Sequence, residues 1–234
     1  MRDFLFPLMI FAAGFGTRMG SLTRDRPKPL IPVAGRALID HALETAAMAG
    51  AHKVVVNTHY RAAQIAAHLA GRDVAISHEA DQILETGGGL RAALPLLGTG
   101  PVAILNSDGI WVGENPLLQL ARTWDGARME ALLLLLPVAA TRGHAAKGDF
   151  ALDGDGRISR GAGEKDQVYI GASIFNPSRL AGITDAVFSL NRPWNAMIAA
   201  GTAFGVVHQG GWCDVGHPEG IAEAERLLQS DRHV

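Results

Sequence analysis

Apolar positions along this chain alternate between two periods. Residues 7–13 form an unbroken apolar run, PLMIFAA, and a glycine-rich loop follows at 14–20. Residues 36–49 then place Leu38, Ile39, Ala42, Leu43, Ala46 and Ala47 at helical spacing, with Gly50 positioned as a C-cap. KVVVNT (53–58) reads as a short β-branched strand covered on both faces. A helix over 62–70, a strand at 74–77, a short helix over 88–97 and a strand at 101–106 follow, then a helix over 116–124 and a strand in MEALLLLLPV. The second half changes style. Residues 147–160 read as a β-hairpin turned by Asp153-Gly154-Asp155-Gly156, and 167–175 as a strand. A helix at 194–200 and a short strand at 203–208 come next. In the terminal helix Ile221, Ala224, Leu227 and Leu228 share one face and Pro218 sits in the first turn.

Strands alternating with helices over short connections predict an α/β fold, a single Rossmann-like domain with a mostly parallel mixed sheet flanked by helices. The 234 residues carry no linker, repeat or low-complexity tract, so one domain over 1–234 is expected. Lysine plus arginine is 21 and aspartate plus glutamate 23, a balance that points to no nucleic-acid partner. Cys213 is the only cysteine, which excludes an internal disulfide and a cysteine-based zinc cluster and fits a cytoplasmic protein. Asp3 and Pro7 interrupt the N-terminal apolar run, so a buried first strand explains it better than a signal peptide. The ALLLLL run at 131–136 is too short to cross a bilayer, and no membrane partner is expected.

The segment GFGTRMGSLTRDRPKPL (14–30) carries the strongest chemical signal. A glycine turn after a strand lets backbone N–H groups approach phosphate oxygens. Arg18, Arg24, Arg26 and Lys28 add the charge a polyphosphate needs. Neither standard phosphate motif fits. The third glycine of the dinucleotide fingerprint would fall at Met19, and no Gly-Lys-Ser/Thr closes the loop. A second glycine cluster, Glu85-Thr86-Gly87-Gly88-Gly89, reads as a ligand-approaching loop that opens a helix, or as a plain flexible turn. Asp108 follows the strand at 101–106, and Asp214 lies in another short apolar segment. Together the two carboxylates would suit a hard cation, and singly each would suit an Asx turn. The nine histidines form no H-E-x-x-H pattern, no G-x-S-x-G elbow occurs, and Cys213 reads as a packed thiol.

This first segment resembles the signature of the sugar-1-phosphate nucleotidyltransferases, G-x-G-T-R-M followed by P-K-P-L. The likeness continues through ETGGGL (85–90), NSDGIW (106–111), KGDF (147–150), YIGASIF (169–175) and GWCDVG (211–216). Among them the chain looks most like the small N-acetylmuramate-1-phosphate uridylyltransferases, which lack a carboxy-terminal β-helix. The resemblance implies Mg²⁺ on Asp108 and Asp214, with Arg18, Lys28 and Asp108 catalytic. It implies nucleotide contacts at Ala12, Ala13, Gly14, Gly16, Thr17, Gln82, Glu85, Gly87 and Gly88. Asn106, Asp149, Glu164 and Gly171 would meet the sugar phosphate, with Lys147 or Lys165 on its phosphate group. Where the family more often has Asn-Gly-Asp, this chain has Ser107.

The implied reaction joins UTP and N-acetylmuramic acid 1-phosphate, releasing pyrophosphate, in a monomeric enzyme. The neighbouring alternatives are a mannose- or heptose-1-phosphate guanylyltransferase and a phosphocholine cytidylyltransferase. Outside the enzymes, a nucleotide-sugar sensor is expected to have lost Arg18, Lys28 or a metal aspartate, and all of these residues are present.

Overall fold

The structure is a computed structural model that describes residues 4–143, 147–160 and 166–231. Its strands are β1 Leu8–Phe11, β2 Pro32–Val33, β3 Arg36–Ala37, β4 Val54–Thr58, β5 Ala75–His78, β6 Val102–Asn106, β7 Gly109–Gly113, β8 Ala131–Pro137, β9 Phe150–Leu152, β10 Ile158–Arg160, β11 Gln167–Phe175, β12 Ala203–Val207 and β13 Gly210–Asp214. Its α-helices are α1 Leu38–Ala49, α2 Ala62–Leu69, α3 Glu85–Leu97, α4 Pro116–Thr123, α5 Asn191–Ala199 and α6 Pro218–Asp231.

The main sheet runs β5-β4-β1-β6-β11-β8-β12. β5, β4, β1 and β6 are mutually parallel, β11 is antiparallel to both of its neighbours, and β12 is parallel to β8. Along this path β11 alone is reversed in an otherwise parallel arrangement, the expected mixed α/β architecture. The β9–β10 hairpin joins β11 at Gln167, and the Asp153 carboxylate closes its turn by accepting from the Asp155 and Arg157 N–H groups.

Continuous apolar runs follow from burial on both faces. Leu8 and Ile10 point to one core with Leu132, Leu134 and Leu136, beneath α1, α2 and α4. Met9, Leu133 and Leu135 point to a second core beneath α3 and α5. The ALLLLL run is thus an interior strand whose leucines serve both layers. A third, smaller cluster joins Met19, Ile31, Ile110, Cys213, Val215 and Leu227 under α6.

Three features differ from the sequence-based expectation. The helix expected over 88–97 begins at Glu85, so Gly87–Gly89 are helical and do not form a loop. No capping side chain starts it. Instead the Gly87 and Gly88 N–H groups both donate to the Phe188 carbonyl, at 2.9 and 3.0 Å, which satisfies donors orphaned at a helix start. The helix expected at 194–200 starts at Asn191. The strands β7 and β13, not expected at all, pair antiparallel, Asp214 opposite Gly109 and Trp212 opposite Trp111.

Candidate active site

A cavity of about 360 Å³ opens at the carboxyl ends of β1, β4, β5 and β6, the position where open α/β sheets bind ligands. Of the residues expected to contact ligand, Ala12, Ala13, Gly14, Gly16, Thr17, Arg18, Lys28, Glu85, Asn106 and Asp108 line it. Ten positions scattered over almost a hundred residues converge because the parallel strands all end on the same side.

The glycine loop is built around one close approach. Gly16 has φ +65°, and a Cβ there would fall 2.8 Å from the Lys28 Cβ and 2.9 Å from the Thr23 methyl. A side chain would be both strained and obstructed, so glycine lets the loop close over the lysine. Lys28 lies on a short 3-10 turn, Lys28–Leu30, flanked by Pro27 and Pro29, and is 9% exposed. Its Nζ donates to Asp108 Oδ2 at 2.6 Å. Arg18 stands at the exposed rim, its Nη1 donating to His217 Nε2 at 3.5 Å.

Asp108 follows β6, and the strand pairing brings Asp214 beside it. The Val215 N–H donates to the Asp108 carbonyl at 2.9 Å, while Asp214 is registered against Gly109. Gly216 lines the cavity, and a Cβ there would come 2.6 Å from Asp214 Oδ2, so the absence of a side chain leaves room for that carboxylate. Asp214 itself does not line the cavity. Among the described residues no cluster of three or more His, Cys, Asp or Glu side chains stands ready for a metal. Asp108 and Asp214 stand on adjacent stretches of backbone, and their carboxylates are of the donor type that suits Mg²⁺, a hard cation commonly held by one or two carboxylates with substrate phosphates and water completing its shell. The thiol of Cys213, next to Asp214, is fully buried and pushed up to about 12 by burial and by the nearby Asp214 and Glu223 carboxylates, so it stays protonated and inert.

Ser107 explains its own departure from the family pattern. Its hydroxyl donates to the Phe11 carbonyl at 2.7 Å, stitching the end of β6 to the end of β1 below Asp108.

Several expected contacts lie elsewhere. Gly87 and Gly88 do not line the cavity. A Cβ on Gly87 would enter the Phe188 ring, and one on Gly88 would meet the Ala186 carbonyl, so these glycines admit a neighbouring protein segment. Gln82 is exposed outside the cavity. Asp149 is also outside, its carboxylate accepting the Tyr169 N–H at 3.0 Å. Gly171, with φ +79°, sits in the bulge of β11, where a Cβ would press within 2.9 Å of the Asn106 side chain. It shapes the cavity through Asn106 without lining it. Lys147 is exposed, and Glu164 and Lys165 lie outside the described residues.

A buried polar brace went unforeseen. Asn57 Oδ1 accepts the Ala12 N–H at 2.8 Å, and its Nδ2 donates to Glu79 Oε1 at 2.7 Å. Glu79 Oε2 accepts the Leu84 N–H at 2.7 Å. Asn57 and Glu79 are 3% and 4% exposed, and both line the cavity with Ile83 and Thr86. The one signal in the sequence is position, since each polar residue stands at or just beyond a strand's carboxyl end. Because the Ala12 N–H is already satisfied, it is not free for a nucleobase. Glu85, the first residue of α3, takes φ +62° at the cavity lip, a conformation costly for a residue with a side chain.

Comparison with known proteins places the chain in a family. Residues 8–147 match the family described as MobA-like NTP transferase domain. An N-acetylmuramate alpha-1-phosphate uridylyltransferase of Caulobacter vibrioides is 42% identical over 231 residues, covering 94% of this chain and 96% of that protein. One of the same name from Neisseria meningitidis serogroup B is 32% identical over 227 residues, again covering 94% and 96%. Among solved structures, HddC of Yersinia pseudotuberculosis complexed with GMP-PN superposes with a TM-score of 0.78 at 18% identity, covering 96% of this chain and all of that one, a likeness of fold alone. The chain belongs to the MobA-like NTP transferase family and has the fold and reaction type of the sugar-1-phosphate nucleotidyltransferases.

Proposed function

We propose that this chain transfers a uridylyl group from UTP to N-acetylmuramic acid 1-phosphate, forming UDP-N-acetylmuramic acid and pyrophosphate. The reaction class rests on Lys28 and Asp108 meeting under a glycine loop at the strand ends. The choice of substrates is supported by 42% identity along nearly the whole length of a relative bearing that name.

In this reading a phosphate oxygen of the sugar phosphate attacks the α-phosphorus of UTP. The new P–O bond forms as the bond from the α-phosphorus to the bridging oxygen breaks, and pyrophosphate leaves with that electron pair. The attacking oxygen is already anionic, so no strong general base is needed. The protein aligns the reactants and stabilises charge. Arg18 and the backbone of 14–20 hold the β- and γ-phosphates. Lys28, bracketed by prolines, meets the charge that grows around the α-phosphate. Ala12, Ala13 and Glu85 face the nucleoside, and Asn106, supported by Gly171, faces the sugar phosphate. Asp149 acts on that side through Tyr169. Asp108 and Asp214 are the residues that would hold Mg²⁺, which when bound neutralises phosphate charge and polarises the P–O bonds. We take the working form as a cytoplasmic monomer. Among the described residues no helix is long and apolar enough to cross a membrane.

Pyrophosphate release with Mg²⁺, measured for UTP, GTP, CTP and dTTP against N-acetylmuramic acid, mannose, heptose and glucose 1-phosphates and phosphocholine, tests this directly. Release confined to UTP with the N-acetylmuramic acid ester is expected. Release with GTP and a mannose or heptose phosphate would keep the reaction class and overturn the substrates.

A further inference from the structure

The loop at 14–26 carries Gly14, Gly16 and Arg18 of the cavity, yet it has no strand partner, only short 3-10 turns. Within it, the Thr23 hydroxyl donates to the Gly16 and Gly20 carbonyls at 3.1 and 3.2 Å. Met19 packs into the cluster under α6 and Arg18 reaches His217, while the contacts at the loop's two ends gather mainly on two adjacent residues between β4 and α2. The Tyr60 N–H donates to the Ala13 carbonyl at 3.4 Å. The Tyr60 ring packs against Phe15, centroids 5.7 Å apart, and its hydroxyl reaches the Thr23 and Arg24 carbonyls at 2.9 and 3.3 Å. The Arg61 guanidinium donates to the Arg24 carbonyl and, through Nε, to the Tyr60 hydroxyl at 3.1 Å. It lies 5.4 Å above that ring and 3.7 Å from the Asp25 carboxylate. Gln64 adds a bond to the Asp25 carbonyl at 3.1 Å.

Arg61 makes these contacts from a backbone at φ +51°, ψ +39°, the left-handed region. A β-carbon makes that conformation unfavourable, and it persists where the surroundings over-determine it. Here the turn aims the guanidinium back across the loop. Both ends of the loop are therefore clamped to one Tyr-Arg pair. The pair lines no part of the cavity, while Thr23, which it holds, packs against Gly16, which packs against Lys28.

We propose that Tyr60 and Arg61 are positioning residues for polyphosphate recognition: they fix the phosphate-facing loop, so that its N–H groups and Arg18 meet the β- and γ-phosphates without first being ordered. The inference rests on the reaction proposed above. Loosening the clamp should weaken ligands that carry those phosphates and spare ligands that lack them, because ordering the loop would then be charged to binding.

The test is calorimetric binding of UTP, UMP and inorganic pyrophosphate, with Mg²⁺, to the wild type and to Tyr60→Phe, Arg61→Ala and Arg61→Lys, alongside steady-state kinetics. For Tyr60→Phe, which keeps the ring, UTP and pyrophosphate affinity should fall about threefold to tenfold, the equivalent of one hydrogen bond. UMP affinity and the KM for sugar phosphate should stay unchanged. Arg61→Ala should fall further and Arg61→Lys should recover part of the loss, since lysine can still reach a carbonyl. Equal weakening of UTP and UMP, or UTP and pyrophosphate binding unchanged in folded variants, would overturn the inference. Should Arg61→Ala fail to fold, Tyr60→Phe decides alone. A wild type that binds neither UTP nor pyrophosphate would overturn the proposed function and this inference with it, whereas wild-type affinity retained in every variant would overturn the inference alone.

Discussion

Two glycine-rich segments, 14–20 and 85–90, look alike in sequence and behave differently in the fold. The first is an exposed loop in which Gly14 and Gly16 line the cavity. Gly14 has no other atom within 4 Å of where a Cβ would stand, and Gly16 is closed down on Lys28. The second is the opening of α3, where buried Gly87, Gly88 and Gly89 meet Phe188, Ala186 and Glu79. In the proposed function the first segment presents backbone to a ligand, whereas the glycines of the second let the chain pack against itself. Glycine enrichment alone therefore does not mark a binding loop. What separates the two is the company each keeps, arginine and lysine in one case and a facing protein segment in the other.

Substitutions around the first segment should damage turnover far more than stability, and those in the second the reverse. The largest effect is expected from Asp108→Asn. It keeps an oxygen for Lys28 but loses the anionic ligand, and a loss of several kcal/mol of metal-dependent stabilisation corresponds to a fall in kcat on the order of 10³-fold. Near-normal kcat at saturating Mg²⁺ would remove Asp108 from the site. Lys28→Ala should lower kcat roughly 10²–10³-fold, as loss of one stabilising donor does, with substrate KM values moving much less. Unchanged kinetics would show that the lysine only pairs with Asp108.

Gly88→Ala carries the comparison to the second segment. Driving a methyl group at the Ala186 carbonyl should cost about 1–3 kcal/mol, read as a melting temperature lower by several degrees. Turnover per folded molecule should change little. A variant of normal stability and poor nucleotide affinity would instead restore Gly88 to the ligand site. The smallest effect is expected from Gly14→Ala, with stability changed by no more than about 0.5 kcal/mol because its methyl group meets nothing. Its readout is UTP affinity, which should fall if phosphate oxygens approach that backbone. Unaltered affinity would blunt the contrast between the segments.

Most of the parallel half of the sheet was legible, because β1, β4, β6 and β8 are buried on both faces and read as unbroken apolar runs. The first glycine loop, Lys28 and Asp108 were legible for a chemical reason, charge placed beside a turn at a strand end. The β7–β13 pair was not. Its strands, GIWVG and GGWCD, are short, glycine-rich and about a hundred residues apart, so only the folded chain shows that they set Asp214 beside Asp108. The Asn57–Glu79 brace was equally hidden, since a polar residue at a strand end looks the same whether it faces water or a buried partner. The start of α3 is not legible locally, because the Gly87 and Gly88 N–H groups are satisfied by the Phe188 carbonyl, a partner a hundred residues away that no local capping signal announces.

Uridylyl transfer to an N-acetylmuramic acid ester by the Lys28–Asp108 site is most directly tested in reverse. UDP-N-acetylmuramic acid, pyrophosphate and Mg²⁺ are mixed with the wild type and with Lys28→Ala, and UTP formation is followed. UTP is expected from the wild type, with a rate lower by roughly 10²–10³-fold from a folded Lys28→Ala. No UTP from this nucleotide sugar, while GDP-mannose or UDP-glucose is cleaved, would contradict the substrate assignment. Equal rates from both proteins would contradict the site.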